Sequence, residues 1–195
     1  MIPAKKAVIE EPTLPLELDL PEETQPVTTL PPVDMPGNPV QAAYAMASSE
    51  RRPMPDGQGG TVVYGAANAL SEDDTAAWVE GVDGDGVGEW LRVFLPQPTR
   101  LTGLRIKNGY WKSEQHLLKN TRAARVRVSF SDGDTEEFVL FDPQERAPGV
   151  LRTDGEEITF ARPHVSDYLQ VTILAVYRGG AEEYDTCITQ LVPLG

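Results

Sequence analysis

The sequence predicts an all-β fold, an antiparallel β-sandwich of about eight strands, and two observations carry this prediction. Short runs of alternating apolar and polar residues recur at a spacing of roughly 8 to 12 residues, with Gly, Asp and Pro between them. No long stretch shows the apolar period of a helix. Short, regularly spaced strands joined by turn residues are typical of a sandwich or a jelly roll.

Seven segments carry the strand pattern. In GEWLRVFL, for example, Leu91, Val93 and Leu95 share one face. The segments are GEWLRVFL, RLTGLRIKN, ARVRVSF, EEFVLF, EEITFA, DYLQVTILAVY and CITQLV, at residues 88–95, 100–108, 124–130, 136–141, 156–161, 167–177 and 187–192. SDGD at 131–134 predicts a hairpin turn, since Asp-Gly tolerates positive φ. The best helix candidate is a turn or two near residues 39–48.

The N-terminal segment differs from the rest of the chain. Residues 1–39 hold nine of the seventeen prolines, no aromatic residue, and two lysines against seven acids. Proline removes ladder donors and the acids repel one another, so this segment cannot bury a core. We therefore expect residues 1–38 to be a disordered Pro-rich acidic linker or stalk and residues 39–195 to form the folded domain.

Composition excludes several classes of function. A formal net charge of −13 opposes contact with nucleic-acid phosphates and anionic membrane surfaces. No run approaches the roughly 20 apolar residues that span a membrane, and the N-terminus lacks the apolar core of a signal peptide. We expect no nucleic-acid partner and no membrane insertion within this chain. A secreted or cell-surface location is favoured if a signal or an anchor lies upstream, and a cytoplasmic one otherwise.

The stretch WVEGVDGDGVGEW, residues 78–90, has the acids and glycines of an ion-binding or phosphate-binding loop. An EF-hand that starts at Asp83 would place Val87 at its fifth position and Phe94 where a bidentate Glu is required. A phosphate loop should lead into a helix, but this one leads into a strand. Two readings stay open: a structural connection, and a binding loop whose carboxylates and Trp78 face a ligand.

Groups for catalysis are scarce. His116 and His164 are the only histidines, and Cys187 is the only cysteine. No nucleophile and base can be paired from their spacing, and two distant histidines argue against a zinc site. We predict that the chain is not an enzyme and that Cys187 is a buried structural thiol.

A second candidate site lies in NGYWKSEQHLLKNTR, residues 108–122, a connection between strands. The aromatic faces of Tyr110 and Trp111 suit the apolar faces of sugar rings, and the neighbouring Lys112, Asn120 and Arg122 can donate to sugar hydroxyls. This mixture suits a site for a carbohydrate or a small polar ligand. The alternative is that the aromatics plug one end of the sandwich and the polar groups cap the loop backbone.

Three segments together resemble the NADase-type glycan-binding domain, a discoidin-like member of the galactose-binding jelly rolls. They are YGAANALSEDDTAAWVEGVDGDGVGEWLRV, LTGLRIKNGYWKSEQHLLKNTRAARVRVSFSDG and VTILAVYRGGAEEYDTCITQL, and the resemblance covers residues 39–195. It implies an eight-stranded jelly roll that attaches to glycans. The catalytic NADase is a separate domain, which nothing in this chain resembles.

The resemblance also implies a calcium loop, which discoidin-like domains often carry in the approximate pattern A-x-D-G-D-x-x-T-x-W. The corresponding ALSEDDTAAW has Ser71 and Glu72 at the first Asp and the Gly. Asp73, Asp74 and Thr75 are the remaining candidate calcium ligands, and the usual ligand set is broken.

We therefore expect a non-catalytic carbohydrate-binding module that attaches its parent protein to a glycan-bearing surface. The candidate ligand-binding residues are Trp78, Glu80, Tyr110, Trp111, Lys112, Asn120 and Arg122. Glycan specificity rests on the resemblance rather than on composition. The alternatives are a protein-interaction module of the same fold, and an accessory domain of a separate enzyme such as an NAD glycohydrolase.

Overall fold

The computed structural model describes residues 37–142, 155–180 and 185–195. Residues 1–36 lie outside this range, so the predicted disorder of the Pro-rich segment falls outside the described residues. The first described residues pair with the last residues of the sequence. The backbone N–H of Asn38 donates to the carbonyl of Gly195 at 3.0 Å, and Pro39 forms a β-bridge with Leu194.

The described residues form nine strands, one short α-helix and one 3-10 helix. The strands are β1 Tyr44–Ala47, β2 Met54–Pro55, β3 Thr61–Val62, β4 Trp78–Val79, β5 Trp90–Asn108, β6 Arg122–Phe130, β7 Thr135–Val139, β8 Glu156–Tyr177 and β9 Cys187–Leu194. The 3-10 helix spans Ala66–Leu70 and the helix α1 spans Glu114–Lys119.

Antiparallel pairing arranges these strands as a sandwich in which β5 and β8 belong to both layers. In one layer the second half of β5 lies between β9 and the first half of β8, and β4 lies at the edge. In the other layer the first half of β5 pairs with β1 and with the second half of β8, which then pairs with β6, and β6 with β7. The predicted antiparallel β-sandwich is confirmed.

The change of layer within β5 has a cause in the sequence. The ladder between β5 and β8 is interrupted between Phe94 and Thr99 and again between Leu101 and Gly103. Pro96 and Pro98 fall in the first interruption, and proline cannot donate to a ladder. The sequence pattern predicts one strand before these prolines and another after them. It likewise predicts two separate strands where the structure has β8. The structure has one long bent strand in each case.

The core lies between the two layers and follows the predicted alternation. Leu91 and Val93 of β5 are fully buried, as are Leu169 and Val171 of β8, and Leu95 is 7% exposed. Their neighbours in sequence face outward. Cys187 is also fully buried, which confirms the predicted buried thiol. In the part of the chain that is described, no helix combines the length and the apolar character needed to cross a membrane.

Two local predictions had different outcomes. The SDGD turn is confirmed: Gly133 has φ 90°, and the backbone N–H of Phe130 donates to the carbonyl of Asp134. The helix expected near residues 39–48 is wrong, because this segment contains the strand β1. The alternating burial of β1 and its pairing with β5 favour a strand over the helix that the alanines of this segment indicate. The helix of this domain is α1, inside the connection from β5 to β6.

Candidate functional site

One end of the sandwich gathers four connecting segments, and we call it the loop end. The segments are residues 48–53, 80–89, 109–121 and the described parts of 178–186. Hydrogen bonds join them: the backbone N–H of Arg51 donates to Val79 O at 2.9 Å, that of Glu80 to Thr186 O at 3.2 Å, and that of Thr121 to Asp185 O at 3.2 Å. Both loops that drew attention in the sequence therefore lie at the same end.

Glu80 holds the 80–89 loop to the start of β9. Its side chain is fully buried. One carboxylate oxygen accepts from the backbone N–H of Val82 at 2.9 Å and the other from that of Thr186 at 3.1 Å. Burial raises the pKa of Glu80, and these two hydrogen bonds oppose the rise. Glu80 thus satisfies backbone donors rather than facing solvent.

Two glycines of the 78–90 stretch are required by this packing. Gly86 has φ 70°, and a Cβ there would lie 2.6 Å from Cγ of Glu80. A Cβ on Gly81 would lie 2.3 Å from the carbonyl oxygen of Glu50. Any side chain at either position would clash, so these glycines serve close approach of the backbone. The two glycines therefore have a structural role.

Trp78 anchors the neighbouring 48–53 segment. Its side chain is fully buried, and Nε1 donates to the carbonyl of Ser49 at 2.9 Å. The hydroxyl of Ser49 accepts from the backbone N–H of Gly81 and donates to the carboxylate of Glu89. The WVEG and GEW ends of the loop are therefore bound to the same serine.

The NGYW motif is also structural. The side chain of Asn108 pairs with the backbone of Ala123, as donor at 2.7 Å and as acceptor at 2.9 Å. Nε1 of Trp111 donates to Asn108 O at 2.9 Å. Tyr110 is 5% exposed and donates from its hydroxyl to Thr75 O, and burial raises its pKa to about 12. The two aromatics plug this end of the sandwich.

The side chain of Arg122 caps the C-terminus of helix α1 from the interior of the protein. This side chain is fully buried. Nη1 donates to the carbonyls of Leu117 at 2.9 Å and Asn120 at 2.7 Å, and Nε donates to Asp142 at 3.0 Å. A guanidinium placed on carbonyls at a helix C-terminus satisfies acceptors that the helix itself leaves open.

The seven predicted ligand-binding residues thus fall into two groups. Five are buried, each with 9% exposure or less: Trp78, Glu80, Tyr110, Trp111 and Arg122. Direct contact with a ligand does not fit their burial, and they hold the loop end together instead. Lys112 is exposed and Asn120 is half-buried. Only these two remain available for contact.

The predicted calcium ligands do not fit a calcium ion well. Asp73 Oδ1 already accepts from the N–H and the hydroxyl of Thr75, which lowers the pKa of Asp73. Asp74 Oδ1 lies 2.6 Å from Nζ of Lys107, whose side chain is 9% exposed. Calcium prefers several oxygen ligands without an ammonium group among them. In this loop Asp74 instead forms an ion pair with Lys107.

A polar cleft opens to solvent at the loop end. It has a volume of about 460 Å³ and is lined by Arg51, Arg52, Gly81, Val82, Asp83 and Asp185. Arg51 forms an ion pair with Asp185, and its guanidinium lies 5.9 Å from the ring centre of Tyr64. Arg52 and Asp83 are exposed. The cleft therefore offers guanidinium donors and carboxylate acceptors side by side.

Sequence reasoning missed three members of this cleft: Arg51, Arg52 and Asp185. Asp185 lies in the segment VTILAVYRGGAEEYDTCITQL, where the resemblance assigns it no role. Arg51 and Arg52 follow ASSE, just after the segment predicted as a helix, and nothing in their spacing connects them with residues 81–83. The signal available in the sequence was the pair of adjacent arginines in a strongly acidic chain.

A second surface lies on the outer face of the β1–β5–β8 layer. Tyr44 stacks on Phe94 with ring centres 4.5 Å apart, and the guanidinium of Arg92 lies 4.2 Å from the ring centre of Tyr168. Tyr44 is 52% exposed and Met46 is 51% exposed. We call these five residues the aromatic strip.

The bent sandwich with its connections gathered at one end is a discoidin-like β-sandwich domain. The chain belongs to the family of NAD glycohydrolase translocation F5/8 type C domains, whose model matches residues 44–192. The family predicted from the sequence is confirmed. A comparison with curated proteins found no match.

Solved structures similar to this chain include carbohydrate-binding modules. The family 32 module from C. perfringens NanJ, in complex with galactose, has TM-score 0.53 and 15% identity over 78% of this chain and 93% of that one. The family 32 module of AlyQ, in complex with 4,5-unsaturated mannuronic acid, has TM-score 0.52 and 11% identity over 80% and 97%. A pectin-binding module has TM-score 0.51 and 13% identity over 79% and 91%. At these identities the similarity establishes the fold.

Proposed function

We propose that this domain is a non-catalytic glycan-binding module and that the polar cleft at the loop end is its binding site. The observation that carries the proposal is the pairing of arginine and aspartate side chains around one open cleft. Each sugar hydroxyl both donates and accepts, so a site with both kinds of group can satisfy it.

The composition of the cleft favours a class of glycan. Two arginines and two aspartates leave its lining without net charge, whereas the whole chain carries −13. An anionic polysaccharide would gain little from the cleft and would be repelled by the protein as a whole. We infer that the preferred ligand is a neutral glycan. Lys112 and Asn120 lie in another segment of the same end and extend the candidate surface.

The fold supports sugar binding in general rather than a neutral sugar in particular. Similar structures bind galactose and 4,5-unsaturated mannuronic acid in their complexes, so sandwiches of this shape carry sugar sites. The role in attachment follows as part of the proposal: a module that binds glycans would hold its parent protein on a glycan-bearing surface. As an accessory domain it would leave any NAD hydrolysis to a separate catalytic domain, and incubation with NAD should release no nicotinamide.

A glycan array with the full chain tests the proposal. We expect binding to a subset of neutral glycans and little signal from uronic-acid polymers. An absence of binding to every glycan, for a protein that melts cooperatively, would contradict it.

The aromatic strip favours a second candidate function, docking of a protein partner. Aromatic residues, Met and Arg are enriched where proteins meet, and all three types occur on this one face. In this reading Tyr44→Ala would abolish capture of the partner, whereas Arg52→Ala would leave it unchanged.

A further inference from the structure

A cluster of charged groups surrounds His164 at the turn between β6 and β7. The histidine lies in the middle of β8 and is 2% exposed. Its Nδ1 lies 3.2 Å from Oδ2 of Asp132 and 3.6 Å from Oδ2 of Asp134, while Nε2 lies 2.9 Å from Oε1 of Glu136. Phe130 stacks on the ring with centres 3.8 Å apart. Three carboxylates thus converge on one buried imidazole.

The carboxylates are held in place by their second oxygens. Oδ1 of Asp132 accepts from the backbone N–H of Asp134 at 2.9 Å, as part of the hairpin turn. Oε2 of Glu136 accepts from the backbone N–H of Ala161 at 2.8 Å. In both residues the other oxygen is therefore directed at His164. The orientation of these two carboxylates is therefore fixed by the backbone N–H groups of Asp134 and Ala161.

Both ring nitrogens of His164 face carboxylates. Nε2 contacts Oε1 of Glu136 at 2.9 Å, and Nδ1 lies within hydrogen-bonding distance of Oδ2 of Asp132 at 3.2 Å. Oδ2 of Asp134 lies 3.6 Å from Nδ1, which is too far for a hydrogen bond to the ring. Two carboxylate oxygens from the same turn therefore lie beside one ring nitrogen.

The spacing of these three atoms also suits a bound metal ion. Tetrahedral zinc with bonds of about 2.0–2.1 Å places neighbouring ligand atoms about 3.3–3.4 Å apart. The two observed separations from Nδ1, 3.2 and 3.6 Å, bracket that value. Histidines that bind metals usually donate their other N–H to a carboxylate, and Glu136 occupies that position.

We propose that Nδ1 of His164, with Oδ2 of Asp132 and Oδ2 of Asp134, forms a binding site for a divalent cation of the zinc type. The aspartate side chains are 32% and 42% exposed, so water can reach the ion and complete its coordination. The mixed nitrogen and oxygen donors favour zinc or cobalt over calcium, which prefers oxygen alone. The distance between the two histidines in the sequence argued against a zinc site that uses both. In the proposed site two aspartates take the place of the second histidine.

Arg162 competes for this site. Its guanidinium forms an ion pair with the same Oδ2 of Asp134, while the side chain is 62% exposed. A metal ion must displace it from that oxygen, and its positive charge opposes the ion. Removal of Arg162 should therefore strengthen metal binding without a cost in packing.

The site lies at the far end of β6 from Arg122 and is independent of the proposed glycan cleft. A bound ion would join the β6–β7 hairpin to the middle of β8. We expect this to stabilise the layer that contains β6 and β7, because a ligand that binds only the folded state raises the melting midpoint.

Titration of the metal-free full chain with Zn²⁺ and Co²⁺ tests the site, with the melting midpoint and the visible absorption of bound cobalt as readouts. Asp132→Asn retains an oxygen for the turn and removes one metal ligand, so we expect at least a tenfold loss of affinity. Arg162→Gln should tighten binding several-fold. Asp167→Asn removes the same charge from an exposed neighbouring position and should leave binding unchanged.

Three outcomes would overturn the site. They are no binding of either ion, equal affinity in the wild type and Asp132→Asn, and a cobalt spectrum with thiolate charge transfer, which would assign the ion to Cys187. Because Asp132→Asn and Arg162→Gln change exposed side chains, their folding can be checked independently by melting without metal.

Discussion

Glu80 and Thr186 are joined twice: the backbone N–H of Glu80 donates to Thr186 O at 3.2 Å, and the backbone N–H of Thr186 donates to the Glu80 carboxylate at 3.1 Å. Both residues are fully buried. This double contact joins the 80–89 loop to the start of β9, beside the cleft that contains Asp83 and Asp185. The geometry of the proposed site therefore depends on a residue that does not line it.

Glu80→Ala should destabilise the protein by about 2 kcal/mol. The substitution leaves the buried N–H groups of Val82 and Thr186 without their acceptors, and each such loss costs about 1–3 kcal/mol. Urea unfolding at neutral pH measures the difference. The exposed Glu72→Ala is the matched control and should change stability little. Equal stability of the two variants would mean that the Glu80 contacts contribute nothing.

The stability contributed by Glu80 should fall as pH rises. Burial raises its pKa in the folded state, so the folded protein holds the proton more tightly than the unfolded chain. The part of the contribution that depends on this proton is complete below the ordinary carboxyl pKa of about 4.3 and is lost as pH rises through the raised value. The hydrogen bonds from Val82 and Thr186 to the carboxylate remain at neutral pH. The difference in unfolding free energy between wild type and Glu80→Gln should therefore shrink with rising pH. A difference that grows with pH would contradict the assignment.

Calcium should leave the melting midpoint unchanged. Lys107 already pairs with Oδ1 of Asp74, and Thr75 already donates to Oδ1 of Asp73, so a calcium ion would compete with both groups for these oxygens. Differential scanning calorimetry with calcium and with chelator measures this. If calcium raises the midpoint in the wild type and Asp73→Asn removes the effect, the ion binds this loop after all.

Cys187 should not react with a thiol reagent in the native protein. The side chain is fully buried, and burial raises the pKa of the thiol, so the reactive thiolate is scarce. Ellman's reagent should modify one thiol per chain in denaturant and none in native buffer. Fast native labelling would show that this region opens to solvent.

Much of the fold could be predicted because its signals are local. The alternation of Leu91, Val93 and Leu95 identified a core face, and Asp-Gly in SDGD identified a turn. The joining of two predicted strands into β5 could not be foreseen, since prolines normally end a strand. Pro96 and Pro98 instead mark a bend within it, which only the pairing with β8 reveals.

The candidate site was less predictable for a physical reason. Trp78 and Trp111 have the chemistry of sugar platforms, but burial decides whether that chemistry is available, and burial comes from tertiary packing. Arg52 and Asp83 lie 31 positions apart in the sequence, and their segments meet only in the folded chain, through hydrogen bonds such as Arg51 to Val79 and Gly81 to Ser49. The motifs lie at the same end of the domain as the proposed cleft, but they did not point to Arg52 or Asp185.

The central claim is that the loop-end cleft binds a glycan. Isothermal titration of a glycan selected on the array, into wild type, Arg52→Ala and Asp83→Asn, tests it most directly. Arg127→Ala, an exposed arginine on β6, is the control. We predict at least a tenfold loss of affinity in both cleft variants, about 1.4 kcal/mol, with melting midpoints and the control unchanged. Wild-type affinity in both cleft variants would contradict the account.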